Sequence, residues 1–230
     1  MSKYTDLYIP VVSCDVWCSD IIRDDNRHIP RSFYSEAQPG TPVIMFLSMN
    51  PGGGKKGPIE PEGFYEGSDL DKIQKHFEFG RNKFNQPKKG FHRKIKKQIC
   101  KVLSMPWEQA RNHIVITALF KCTSKGDGMV SNTTITTCVE KHLKRELLAW
   151  KPICIFTLGK GVKEWVDNNP DIFKGYEIGG LTHPSFSGTK SKGMTDSDFE
   201  DEAFNVFNKM PNNVKDKFQR LIGADNRSDD

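Results

Sequence analysis

Two nearly continuous apolar runs, Val43-Ile44-Met45-Phe46-Leu47 and Ile153-Cys154-Ile155-Phe156-Thr157-Leu158, set the tightest limit on how this chain can fold. A strand with one wet face alternates polar and apolar residues, so an unbroken run needs cover on both faces. Both runs are far shorter than the roughly 20 apolar residues of a membrane span, and they read as buried parallel strands. Reading for period gives four strand candidates, at 42–48, 113–120, 153–158 and, more weakly, 175–182. Helical patterns separate them at Phe91–Leu103, Thr136–Trp150 and Gly161–Asn168. Such alternation predicts an α/β fold in three α/β/α layers, with a central, mostly parallel four-stranded sheet. A last helix is expected over Phe204–Ile222, where Phe207, Met210, Val214, Phe218 and Leu221 keep a helical spacing despite Pro211 and read as core packing.

With 230 residues and 36% apolar content, one sizeable core is affordable, and a single domain is expected over 1–222. Residues 1–40 read as an amino-terminal arm and 223–230 as a disordered acidic tail. The stretch Gly52–Gly90, rich in Gly, Pro and charge, shows little period and reads as a long functional loop. Charge is uneven: Arg81–Lys101 holds nine Lys or Arg and no Asp or Glu, whereas Thr195–Asp230 holds nine acidic and five basic residues. The basic block suits a polyanion such as DNA; a solvated helix face around Ile95, Ile99 and Leu103 explains it equally well. The polar amino terminus lacks a signal-peptide core, so a soluble cytoplasmic monomer with no membrane association is expected. Six cysteines in that setting point to a metal or cluster rather than to disulfides.

Met49-Asn50-Pro51-Gly52-Gly53-Gly54 and Thr182-His183-Pro184-Ser185 each follow a strand candidate, where α/β proteins place their chemistry. In these segments the chain resembles the uracil-DNA glycosylase superfamily, with Ser48-Met49-Asn50-Pro51-Gly52 as the first motif and His183-Pro184-Ser185 as the second. The segment Ile116-Thr117-Ala118-Leu119-Phe120-Lys121-Cys122 is similar to the Lys-Cys segment of the iron–sulfur (family 4) branch, as are Cys138 and the run Trp150-Lys151-Pro152 to Leu158-Gly159. The Asn-Pro-Gly first motif is instead like that of the mismatch-specific and single-strand-selective branches. The resemblance covers about residues 10–190.

The resemblance implies a 4Fe-4S cluster held by Cys14, Cys18, Cys122 and Cys138. Cys14 and Cys18 have three residues between them where the branch usually has two. Taken without the family, two distant cysteine pairs suit zinc or a cluster equally, or else buried thiols acting as small hydrophobes. That last reading is assigned to Cys100 and Cys154.

For activity the resemblance implies a monofunctional DNA glycosylase that extrudes a base into a pocket and hydrolyses its bond to the sugar. Asn50 would orient water and His183 would stabilise the departing base anion. Met49, Pro51, Gly52 and Ala118 would line the base, with Phe64 or Tyr65 stacked on it. Ser185, Lys190 and Lys192 would hold DNA, and Phe186 or Met194 would fill the vacated stack. Gly53 and Gly54 would let backbone approach the ligand, and Lys55 and Lys56 follow at once. Most uracil-excising relatives carry an Asn where this chain has Ala118, so the substrate is either uracil read by another residue or a bulkier modified pyrimidine. Repair and defence against base-modified viral DNA both fit. A module that binds the altered base without cutting it is the alternative.

Overall fold

Burial on both faces accounts for the sheet, because each apolar run becomes a strand with all five residues shielded from water. The computed structural model describes residues 4–16, 18–22, 30–31, 33–49, 66–86, 90–124, 130–184 and 193–225, with side chains described as far as Arg220. In chain order the elements begin with α1 (Thr5–Val12), β1 (Ile21–Ile22), β2 (Ile44–Ser48), α2 (Asp69–Asn85), α3 (Phe91–Leu103) and the short α4 (Trp107–Ala110). They continue with β3 (Ile114–Ala118), β4 (Thr123–Ser124), α5 (Asn132–Cys138), a π-helical turn over Val139–Leu143, and α6 (Lys144–Trp150). Last come β5 (Cys154–Leu158), α7 (Lys160–Asp167), β6 (Glu177–Leu181), α8 (Asp196–Asn208) and α9 (Asn212–Asp225).

Strands β3-β2-β5-β6 form, in that order, an all-parallel sheet flanked by helices, the expected three-layer α/β/α arrangement. The four strand candidates are all present, each trimmed by one to three residues at its ends. Register sets Phe46 beside Phe156, their rings stacked at 5.4 Å, and Phe156 beside Gly179. No helix among the described residues is long and apolar enough to cross a membrane.

The described residues fall into two compact units. One is drawn from Met1–Tyr34, Ser48–Gln86 and Ile116–Ala149, the other from Ser35–Leu47, Pro87–Val115 and Trp150–Asp230. In the first unit Tyr8 is the hub, donating from its hydroxyl to the Phe33 carbonyl at 2.6 Å and packing on the Phe33 and Phe77 rings. In the second unit α3 packs along α8, with Ile95, Ile99, Leu103, Phe199 and Ala203 fully enclosed.

Three expectations need correction. The Gly52–Gly90 stretch is not a loop throughout, since α2 occupies Asp69–Asn85 behind a capping box in which Ser68 and Asp71 bond each other's backbone N–H. Its weak period reflects a narrow buried seam, Ile73 and Phe84, on an otherwise polar helix. The single closing helix is two, α8 starting at Asp196 and α9 after Pro211, which lacks the N–H a continuous helix needs. Helix also continues to Asp225, into the expected tail. The stripe is core as expected, with Phe207, Met210, Val214 and Phe218 buried.

The basic block has counter-charges and ring partners of its own, which engage most of its described charges. Arg93 and Lys97 pair with Asp196 at 3.2 Å, and Lys97 reaches Glu200 at 3.4 Å. Lys94 lies over the Phe199 ring, Lys96 over Trp107 and Lys101 over Phe204. The acidic first half of α8 is thus the counter-charge of α3.

Gly179 tests the packing beneath the sheet. A Cβ there would lie 2.8 to 2.9 Å from Val206, Met210 and Phe156, whereas one at Gly180 would make an ordinary 3.5 Å contact with the Lys163 stem. Overpacking of this kind costs about 1 to 3 kcal/mol, and each kcal/mol lowers Tm by roughly 2 to 4 °C in a domain of this size. Thermal melting is expected to show Gly179→Ala losing several degrees while Gly180→Ala stays near the parent.

Candidate functional site

Lys121 fixes the centre of the first unit. It follows β3 and is completely buried, with its ammonium bonded to Glu146 Oε2 at 2.7 Å, Thr117 Oγ1 at 2.6 Å and the Ala118 carbonyl at 3.0 Å. The Thr117 hydroxyl also donates to Glu146 Oε2 at 2.7 Å, closing a triangle in which each charge has a partner. Lys121 and Glu146 are each about 1% exposed, so neither can recover its hydration by moving.

The Lys121 backbone N–H donates to Cys138 Sγ at 3.2 Å, which holds that sulfur beside Cys122 in the chain. Cys14, Cys18, Cys122 and Cys138 line one recess of about 330 Å³, its open mouth included. Cys14 follows α1, Cys122 lies between β3 and β4, and Cys138 ends α5. Cys18 is two residues short of Asp20, whose carboxylate accepts from Ser131 N at 2.6 Å and from the Thr134 hydroxyl at 2.8 Å. Those two donors hold the Asp20 carboxyl well below the usual range. The pairing of β1 with β4 joins the same two segments, Ile21 to Ser124 and Ile22 to Thr123.

Among the described residues, no three Cys, His, Asp or Glu side chains gather closely enough to hold a single metal ion. Burial pushes the Cys138 thiol up to about 11, with the Lys121 charge and N–H pulling the other way. His142, in the π turn, also lines the recess. It is 3% exposed, and neither ring nitrogen meets a hydrogen-bond partner among the described residues. Burial and the charges of Lys121, Lys141 and Arg145 lower its pKa to about 4, so the ring is neutral at pH 7. Cys100 on α3 and Cys154 in β5 stand outside the recess, and burial raises both thiols, Cys154 to about 12.

His183 belongs to the second unit and follows β6 by one residue. Its ring lies 5.6 Å from that of Phe91, and burial lowers its pKa. Gly159, at φ 97°, sits under it, and a Cβ there would come within 3.2 Å of the His183 Cβ. The preceding Thr182 is clamped by Glu202, which accepts from its N–H at 2.9 Å and its hydroxyl at 2.8 Å.

The other expected site residues divide sharply. Ala118 is buried at the end of β3, and the Met49 and Ser48 carbonyls accept from Phe120 N and Leu119 N at 3.2 and 2.9 Å. Asn50, Pro51, Gly52, Phe64, Tyr65, Ser185, Phe186, Lys190 and Lys192 lie outside the described residues. The sequence reading missed Glu146, His142 and Glu202. Glu146 and His142 were detectable, because both fall on the stripe Val139, Leu143, Leu147, Trp150 that the helix buries. No family model matches the chain, and none of the curated proteins matches it.

Removing one partner of a buried pair strands the other charge at a cost of about 3 to 5 kcal/mol, whereas replacing both with apolar residues is near neutral. Lys121→Met is therefore expected to lower Tm by on the order of 10 °C. Lys121→Met combined with Glu146→Leu should recover most of that loss in the same melting experiment.

Proposed function

We propose that the chain is a monofunctional DNA glycosylase whose first unit is stabilised by a 4Fe-4S cluster on Cys14, Cys18, Cys122 and Cys138. The observation that carries this reading is the recess, where four thiols from separate segments line one space beside a buried histidine with no partner among the described residues. The resemblance of the Asn50 and His183 segments and the parallel α/β sheet support it. The cluster supplies cross-links between the arm, the segment after β3 and α5, in place of additional core.

Cutting the bond between sugar and base leaves negative charge on the base and positive charge on the sugar. His183, whose pKa burial lowers, would donate a ring N–H to the departing base. Asn50, through its amide, would hold the attacking water, and its inability to act as a strong base puts the burden on positioning. DNA would be held by Lys55, Lys56, Lys190 and Lys192, because the α3 cations are largely engaged by α8. Recognition without cutting is the second reading, favoured by Ala118, whose methyl group cannot read a base edge.

The test is a panel of DNAs, each carrying one uracil, hypoxanthine or modified cytosine, treated with purified protein and then alkali. Strand breaks in one member are expected; binding without breaks in any member would favour the second reading. Asn50→Ala and His183→Ala should each slow excision by about 100- to 1000-fold, the usual cost of losing one such donor. Full activity in both variants would remove the assigned roles. A brown preparation with matched iron and sulfide is expected, and a colourless zinc-containing one would reject the cluster.

A further inference from the structure

We infer that His142 donates its ring N–H to a sulfur within the recess and so sets the reduction potential of the cluster held there. This rests on the cluster reading above. His142 stands one turn beyond Cys138, in the π turn Val139–Leu143. Turns of that kind are uncommon and recur at functional sites. Its ring lines the same recess as the four cysteines and finds no partner on either nitrogen among the described residues. A neutral imidazole always carries one N–H and one lone pair, and a buried N–H with no acceptor costs about 1 to 3 kcal/mol. Of the buried side chains that lack a partner among the described residues, which also include His76 and Gln98, His142 is the one that lines the recess, and that placement points to an acceptor supplied by something bound there.

Sulfur is the acceptor the recess would offer. Four cysteines already give a 4Fe-4S cluster one ligand per iron, which leaves His142 the role of donor rather than ligand. The Lys121 N–H on Cys138 Sγ, at 3.2 Å, shows a second donor already aimed at sulfur in this space. Hydrogen bonds to the sulfurs favour the more negative, reduced cluster and raise its potential. The device is independent of base excision, since nothing in the proposed chemistry needs the cluster to change oxidation state.

The experiment compares purified holoprotein with His142→Leu and His142→Gln, measuring iron, acid-labile sulfide and the midpoint of a dithionite titration followed by electron paramagnetic resonance. Both variants are expected to keep the parental iron and sulfide. His142→Leu should shift the midpoint to a more negative value, and His142→Gln, which keeps an N–H, should restore much of the shift. An unchanged midpoint in His142→Leu overturns the inference. Loss of iron from both variants, with helical circular dichroism preserved, makes His142 a ligand and also overturns it. If His142→Leu does not fold, His142→Ala takes its place in the same titration, with a more negative midpoint expected and an unchanged midpoint overturning the inference. Absence of iron and sulfide from the parent protein overturns the cluster reading itself, and the inference with it.

Discussion

A lysine ammonium in a dry interior must be surrounded by acceptors, and the acceptors of Lys121 tie the end of β3 to α6. Its Nζ reaches Glu146 on α6, Thr117 inside β3 and the carbonyl at the end of β3. Isolated, either charge would be costly to bury by several kcal/mol. The low-dielectric setting makes the geometry demanding, because an ammonium displaced from its three acceptors has no water to fall back on. That demand is passed along the backbone. Cys122 is the next residue, and the Lys121 N–H fixes the Cys138 sulfur, so the buried pair sets where two of the four thiols stand.

The arm that carries the other two thiols is held by different forces. α1 docks through Tyr8 on Phe33 and Phe77, and Asp20 caps the start of α5 through Ser131 and Thr134. Two residue pairs between β1 and β4 complete the attachment. Cys14 and Cys18 lie between these anchors, so protein contacts bound the recess on both sides. Under the proposed function, a site bounded this way would ask little reorganisation of its ligands, and the free energy of binding the cluster would go into stability. The extra residue between Cys14 and Cys18 is then a matter of local loop shape, since both flanks are fixed independently.

The sheet was legible because strands covered on both faces must be apolar throughout, and no other element of this length makes that pattern. β6 was fainter: Glu177-Ile178-Gly179-Gly180-Leu181 has little strand propensity, and Gly179 is there to leave room for Phe156, Val206 and Met210. α2 was hidden for the opposite reason, since a helix that buries only Ile73 and Phe84 looks like loop unless its capping box is noticed. The α3 charges could not be interpreted from their own neighbourhood. Asp196 and Glu200, which neutralise them, lie about a hundred residues away, and only packing of α3 on α8 shows that one block answers the other. The cysteines were legible through spacing and resemblance, whereas the roles of Glu146 and His142 depend on which partners stand opposite them on the buried stripe.

Ala118 links the buried pair to the question of substrate. Its side chain has no hydrogen-bonding group, and its carbonyl accepts from Lys121 at 3.0 Å. Under the proposed function, discrimination must come from groups elsewhere around the base, with the room left by the methyl group favouring a larger ring substituent. A pocket that relies on shape distinguishes poorly among bases that are smaller than its limit, because a missing group costs only the lost contact, about 1 to 3 kcal/mol per methylene. It excludes larger bases sharply, because overlap with a packed wall is steeply repulsive. Under the proposed function, the specificity of such an enzyme would be set by an upper size limit rather than by a polar code.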